Sequence, residues 1–200
     1  MWARFGMRWV RVSGALVCLS VFVPHHASAF GEETDVELVS VRVAEDTSEA
    51  RNVTSRLAWE VRKRSSVEPM LEPGQARFDN ASLFRSPFIY WRGTEEFAPL
   101  SEADIEGLRR YIHRGGFLLI DDATAGGDVF DRAVRRELLR AFPANPLQRV
   151  SPQHTIYRSF YLLNRPVGRV QGPSFLEGIT YGDRIAVVYT RHDLGGALQR

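Results

Sequence analysis

The hydrophobic and polar positions along the chain switch between two periods. VELVSVRV (Val36–Val43) alternates, with Val and Leu on one face, and predicts a strand. Asp46 or Thr47 is then placed to cap a helix carrying Ala50, Val53, Leu57, Ala58 and Val61 on its apolar side. That helix closes on RKRSS, which sets cations at the negative end of its dipole. SVEP reads as a short strand, and MLEPGQARFDN is turn-rich and expected to be exposed. SPFIYWRG (Ser86–Gly93) is an apolar run of the kind a buried strand shows.

The clearest helix follows. Ser101-Glu102-Ala103-Asp104 forms an S-x-x-D capping box, and Ile105, Leu108, Tyr111 and Ile112 recur on one face. Arg109, Arg110 and Arg114 fall on the other face and in the last turn, and Gly115-Gly116 ends the helix. FLLID (Phe117–Asp121) then starts at once as a strand without polar alternation, the pattern of a parallel sheet covered on both faces. Asp128 is expected to cap a further helix with Val129, Phe130, Ala133, Val134, Leu138 and Leu139 on its apolar side, stopped by Pro143. TIYRSFYLL (Thr155–Leu163) is apolar and aromatic with no deciding period, and IAVVYT (Ile185–Thr190) predicts the last strand. The alternation of strands and helices predicts an α/β domain of three layers, a mostly parallel sheet flanked by helices.

The first residues change this picture by compartment. Arg4, Arg8 and Arg11 precede an apolar run from Val12 to Val23, followed by Pro24 and Ala27-Ser28-Ala29. This is the layout of a secretory signal peptide over residues 1–29 with cleavage after Ala29, leaving residues 30–200 as a single domain; the alternative is an uncleaved membrane anchor. An exported location, periplasmic or inner-membrane anchored, follows as an expectation. Without the three leader arginines, 26 cationic residues become 23 against 24 acidic ones, a net charge of −1. The basic pI of 8.9 therefore belongs largely to the leader and gives no argument for nucleic acid. Cys18, the only cysteine, leaves with the leader, so residues 30–200 hold no disulfide, thiol nucleophile or thiolate metal ligand. Lys63 is the only lysine, a bias toward arginine that codon usage explains.

Candidate chemistry gathers at two strand ends. FLLI runs into Asp121-Asp122 and IAVVYT into Arg191-His192-Asp193, each followed by a Gly-Gly pair. In a parallel sheet both ends reach the carboxyl edge, where open α/β sheets place ligands. Asp121, Asp122, His192 and Asp193 are therefore the candidate catalytic groups, and Arg191, Gly126 and Gly127 the candidate ligand-binding ones. The structural reading is as strong: neighbouring side chains on a strand point to opposite faces, and aspartate commonly braces its own loop. No pair of histidines has metal-ligand spacing, and no cofactor or metal is expected. The patterns G-x-S-x-G, G-x-x-x-x-G-K-[ST] and a strand leading into G-x-G-x-x-G are all absent.

Taken in order, LFRSPFIYWRG, PLSEADIEGLRRYIHRGGFLLIDD, HTIYRSFYLL and YGDRIAVVYTRHDLGG resemble the bacterial domain-of-unknown-function family 4159, from about Val36 onward. The resemblance implies a fold similar to class I glutamine amidotransferases, a flavodoxin-like sheet flanked by helices, often exported or membrane-attached, with no assigned reaction. An amidotransferase-type site needs a cysteine, which residues 30–200 lack. Family members usually continue beyond the DLGG motif, so the resemblance also implies an uncovered sheet edge or helix-sized face here. The expectation is a non-catalytic exported module binding a small ligand or an envelope protein. Its alternatives are a hydrolase using a carboxylate with His192, and a structural or assembly protein.

Overall fold

Seven strands form one sheet, and the connections between them explain their order. The structure, a computed structural model, describes residues 36–43 and 48–199. The expected leader, Cys18 and the two possible caps Asp46 and Thr47 lie outside them. The strands are β1 (Leu38–Val41), β2 (Gly74–Ala76), β3 (Phe88–Gly93), β4 (Phe117–Asp122), β5 (Gln148–Arg149), β6 (Glu177–Tyr181) and β7 (Arg184–Thr190). They are ordered β2-β1-β3-β4-β7-β6-β5. β2, β1, β3, β4 and β7 run parallel, while β6 pairs antiparallel with both β7 and β5. The helices are α1 (Ser48–Arg64), α2 (Glu102–His113), α3 (Val129–Ala141) and the short α4 (Leu194–Leu198). The α/β class read from the sequence is the one observed. The described residues fall in one compact unit.

The layers follow from side-chain alternation. Val39, Ile89, Trp91, Leu118, Ile120 and Val187 project to one face and join the buried residues of α2 and α3. Tyr90 projects to the opposite face against Ala50 and Val53 of α1, with Leu198 of α4 beside them. Further along that face, Val188 is covered by Val150, Tyr157 and Leu176, which precede β6. Because both faces are covered, all four residues of β1 are buried rather than only its Val and Leu positions. Trp91 anchors the larger core, with Phe78, Phe97 and Phe130 packed edge-on against it at 5.2–5.9 Å between ring centres.

The strongest sequence signals gave the best-formed helix ends. Ser101 Oγ accepts the Asp104 amide at 3.1 Å, and the Asp104 carboxylate also accepts from the Arg77 guanidinium at 2.7 Å. Gly115 leaves α2 with φ of 101°, which a side chain would resist. Other expectations need correction. The MLEPGQARFDN stretch contains β2, and its Ala76 and Phe78 are buried. Three residues paired only along β1 are too few to show a period. SVEP contributes a single bridge, Pro69 to Val36. Asp128 sits at the start of α3 but caps nothing, because its carboxylate turns to Arg132. Leu139 is 61% exposed, off the apolar stripe. Thr155–Tyr157 is a 3-10 turn, and the residues after it form an exposed loop.

Gly107 tests how firmly α2 is docked. Alanine there would favour the helix by about 1 kcal/mol. Its Cβ would however lie 2.0 Å from the Phe78 carbonyl oxygen, a backbone atom that cannot rotate away. Gly107→Ala is therefore expected to lower the unfolding free energy by about 1–3 kcal/mol, read by urea denaturation. A variant as stable as the parent would mean the Phe78 segment yields freely.

Candidate functional site

β4 and β7 lie side by side, with Asp121 in register with Thr190, so the two Gly-Gly strand ends do share one edge. Alternation then divides the candidates between the two faces of the sheet. Asp121 points to the α1/α4 face and Asp122 to the α2/α3 face, as the hydrogen-bond partners of each show.

Asp121 is fully buried. Its carboxylate accepts three hydrogen bonds: from the Tyr90 hydroxyl at 2.7 Å, the Leu194 amide at 3.0 Å and the Gly195 amide at 2.8 Å. Burial raises its pKa, against the pull of the Gly195 amide, the Tyr90 hydroxyl and the Leu194 amide toward the ionised form. Burial likewise pushes the Tyr90 hydroxyl far up, helped by the neighbouring Asp121 charge, so Tyr90 stays protonated and donates to Asp121. The result is a fastening: the end of β4 holds the first turn of α4, more than seventy residues later in the chain.

Asp193 is the second fastening. It is fully buried and takes the left-handed conformation, φ 49°, alone among the described non-glycine residues. Aspartate tolerates that region better than most residues, at a cost of order 1 kcal/mol. Its Oδ1 accepts from Arg92 Nη2 at 3.0 Å and from the Gly196 amide at 3.0 Å, while Oδ2 is gripped by Arg169 Nε. Arg92 is itself only 6% exposed and makes a second ion pair with Glu49 at the start of α1. Burial alone would lower the Arg92 pKa, but Asp193 outweighs it and the guanidinium is held charged. The glycines of DLGG are explained by crowding. A Cβ on Gly195 would lie 2.4 Å from the Tyr90 hydroxyl, and one on Gly196 2.2 Å from an Asp193 carboxylate oxygen.

His192 is buried and spends both ring nitrogens. Nε2 lies 2.7 Å from the Pro173 carbonyl, which can only accept, so that nitrogen carries the hydrogen. Nδ1 then accepts from the Thr190 hydroxyl at 2.8 Å. Burial lowers the imidazole pKa and keeps the ring neutral. His192 makes no hydrogen bond to Asp121 or Asp122. Residues 165–174 arch over it and leave a pocket of about 260 Å³, with Arg165, Arg169, Gln171 and Ser174 among its walls.

On the α2/α3 face, Asp122 accepts the Thr124 amide of its own loop at 2.9 Å and the Tyr189 hydroxyl at 3.3 Å. Tyr189 donates more closely to Asp131 of α3, at 2.7 Å, and Arg191 pairs with the same carboxylate at 3.3 Å. Arg191 thus pairs on the α2/α3 face and not with Asp121 or Asp193. Gly126 and Gly127 form an exposed turn with φ of 86° and 107° beyond Asp122. Among the described residues no buried side-chain nitrogen or oxygen lacks a partner, and no group of three or more His, Cys, Asp or Glu is placed to hold a metal ion. No helix among them is long and apolar enough to cross a membrane.

Sequence reasoning missed Tyr90, Arg92 and Arg169. Arg92 was visible as the one charge inside SPFIYWRG, two residues after Tyr90 and therefore on its face. Arg169 sits in a loop that carries no period, and nothing local marked it.

Fold and site together define an α/β protein with a mostly parallel seven-stranded sheet whose carboxyl-edge charges are bonded to one another. Residues 37–200 match the family model described as "Domain of unknown function (DUF4159)", and the chain belongs to that family. Comparison with curated proteins gives no match.

Three outcomes are expected. Asp193→Ala leaves the Arg92 guanidinium with only the exposed Glu49 as ion partner and should cost about 3–5 kcal/mol in denaturant unfolding. Asp122→Ala, which loses a loop brace and a long hydroxyl contact, should cost about 1 kcal/mol. Equal losses would mean that the Arg92–Asp193 pair does not hold the edge. For His192 the folded pKa lies below the unfolded value near 6.5. The unfolded state then binds more protons in the interval between them, so stability is full above it and falls as pH drops through it. His192→Gln should remove up to about 1.4 kcal/mol per pH unit from the slope of stability just below pH 6.5. An unchanged slope would mean the imidazole titrates normally.

Proposed function

We propose that the chain is an exported, non-catalytic binding module on a flavodoxin-like scaffold similar to that of class I glutamine amidotransferases. The order β2-β1-β3-β4-β7, all parallel, supports the scaffold: it is the 2-1-3-4-5 arrangement with β5 and β6 inserted before the last strand. In such sheets ligands settle where the connections diverge, beside β1 and β3. Here Arg92, at the end of β3, bridges that place to Glu49 of α1 and Asp193 of α4.

The observation that carries the proposal is the mutual satisfaction of these charges. A general acid or base needs a lone pair or proton free for substrate within hydrogen-bond reach. Asp121, Asp193 and His192 have theirs committed to amides, arginines, Thr190 and Pro173. The hydrolase alternative would require those bonds to break first. A small ligand is better served by the pocket above His192, where Arg165 is exposed and suits a carboxylate or phosphate.

Thermal unfolding of the full chain against small carboxylates, phosphates and sugar acids tests this, run beside assays with generic ester, amide and phosphate substrates. An anion at about one hundred times its Kd should raise Tm by about 5–10 °C, and Arg165→Gln should abolish the rise. Turnover that disappears in His192→Gln, with Tm kept, would replace the binding reading by the hydrolase.

A further inference from the structure

The loop after the 3-10 turn carries an apolar surface that the fold does not use. Phe160 is 63% exposed, Tyr161 58%, Leu162 83% and Leu163 47%, with Val167 at 68% shortly after. Exposed hydrophobic residues scattered singly are ordinary, but four in succession are not. The loop is not loosely attached. Tyr157 at its base is buried, and its carbonyl accepts the Leu163 amide at 2.8 Å. Its hydroxyl takes the Leu176 amide at 2.8 Å, and Arg64 at the end of α1 donates to the Tyr161 hydroxyl at 3.0 Å. The apolar tip is held outward.

Charge along the loop's own stretch of chain has one sign. Between Glu137 and Glu177 the chain has no aspartate or glutamate, yet it carries Arg140, Arg149, Arg158, Arg165 and Arg169. Arg140 pairs with Glu137, Arg149 lies over the Phe175 ring and Arg169 holds Asp193. Arg158 and Arg165, which flank the apolar run, are exposed and have no acidic partner among the described residues. Some exposed arginines elsewhere do have one, such as Arg56 with Glu60, Arg62 with Glu68 and Arg132 with Asp128, and others such as Arg85 and Arg114 do not; what marks Arg158 and Arg165 is that they flank the apolar run.

We propose that residues 158–167 dock the domain on an anionic lipid bilayer, with Phe160 and Leu162 entering the acyl boundary and Arg158 and Arg165 meeting lipid phosphates. Hydrocarbon under a layer of negative charge is the partner that satisfies both halves of this surface at once. Tyr161 suits the level between them, since its ring is apolar and its hydroxyl polar. The side chains project from a loop rather than line a groove, which fits insertion better than capture of a peptide. Arg165 and Val167 also border the pocket above His192, whereas Arg158, Phe160 and Leu162 do not, so the test rests on those three.

Hydrogen exchange of the full chain, with vesicles of phosphatidylglycerol mixed into phosphatidylcholine and with phosphatidylcholine alone, tests the docking. The amides of residues 159–167 should slow on the anionic vesicles and lose that protection in high salt. Leu162→Asp should weaken vesicle partition by about tenfold or more, and Arg158→Gln by about fivefold. Both positions are exposed and lie outside the pocket above His192, so neither Tm nor anion binding there should change, and each variant keeps residues 1–29, so any binding by that segment is common to all. Loop amides indifferent to vesicles would overturn the proposal, as would variants that partition like the parent. Equal protection on neutral vesicles would remove the role of charge and overturn it too. Protection without lipid that grows with protein concentration would assign the surface to a second copy of the chain instead.

Discussion

The grip of the Asp193 carboxylate on two arginines is the interaction on which the carboxyl edge of the sheet depends. Arg92 comes from the end of β3, Arg169 from the loop before β6, and Asp193 from the turn into α4. A buried guanidinium has a large desolvation cost, and only a partner with good geometry offsets it. That requirement fits the left-handed backbone at Asp193 and the absence of a side chain at Gly196, while Gly195 is kept bare by Tyr90 and Val53. Asp121 completes the arrangement by anchoring the α4 amides to β4. Three connections of the chain therefore meet at one carboxylate.

This geometry bears on what the edge can do. The same residues that suggest acid–base chemistry when read in a line are each bonded inward when folded. His192 is neutral because it is buried, and its ring is fixed by Thr190 and Pro173 rather than aimed at solvent. Exposed arginines without an acidic partner among the described residues, Arg158 and Arg165 among them, lie outside this buried set.

The sequence made the parallel strands and the helices readable wherever a period ran long enough. α2 was legible from its capping box, its apolar stripe and its Gly-Gly end. β2 and β5, with three and two residues, have no period to read, and the hairpin of β6 was hidden because GITY and its flanks are only partly apolar. At the site, the meeting of the Asp121 and Asp193 strand ends followed from parallel topology. Alternation also divided Asp121 from Asp122; what did not follow was the pairing of Arg191 with Asp131 beside Tyr189, or the part played by Arg92. Strand alternation contains that information, but it needs the register of β3 against β4, a long-range fact that no local window holds.

The brevity of the two outermost strands has its own effect. β2 and β5 offer an approaching strand only a few unpaired backbone groups. Open edges of long strands invite other chains to add to a sheet, and short ones deny them a template. At high local concentration the sheet thus resists growing into fibrils through its ends, and contact between molecules is left to side chains.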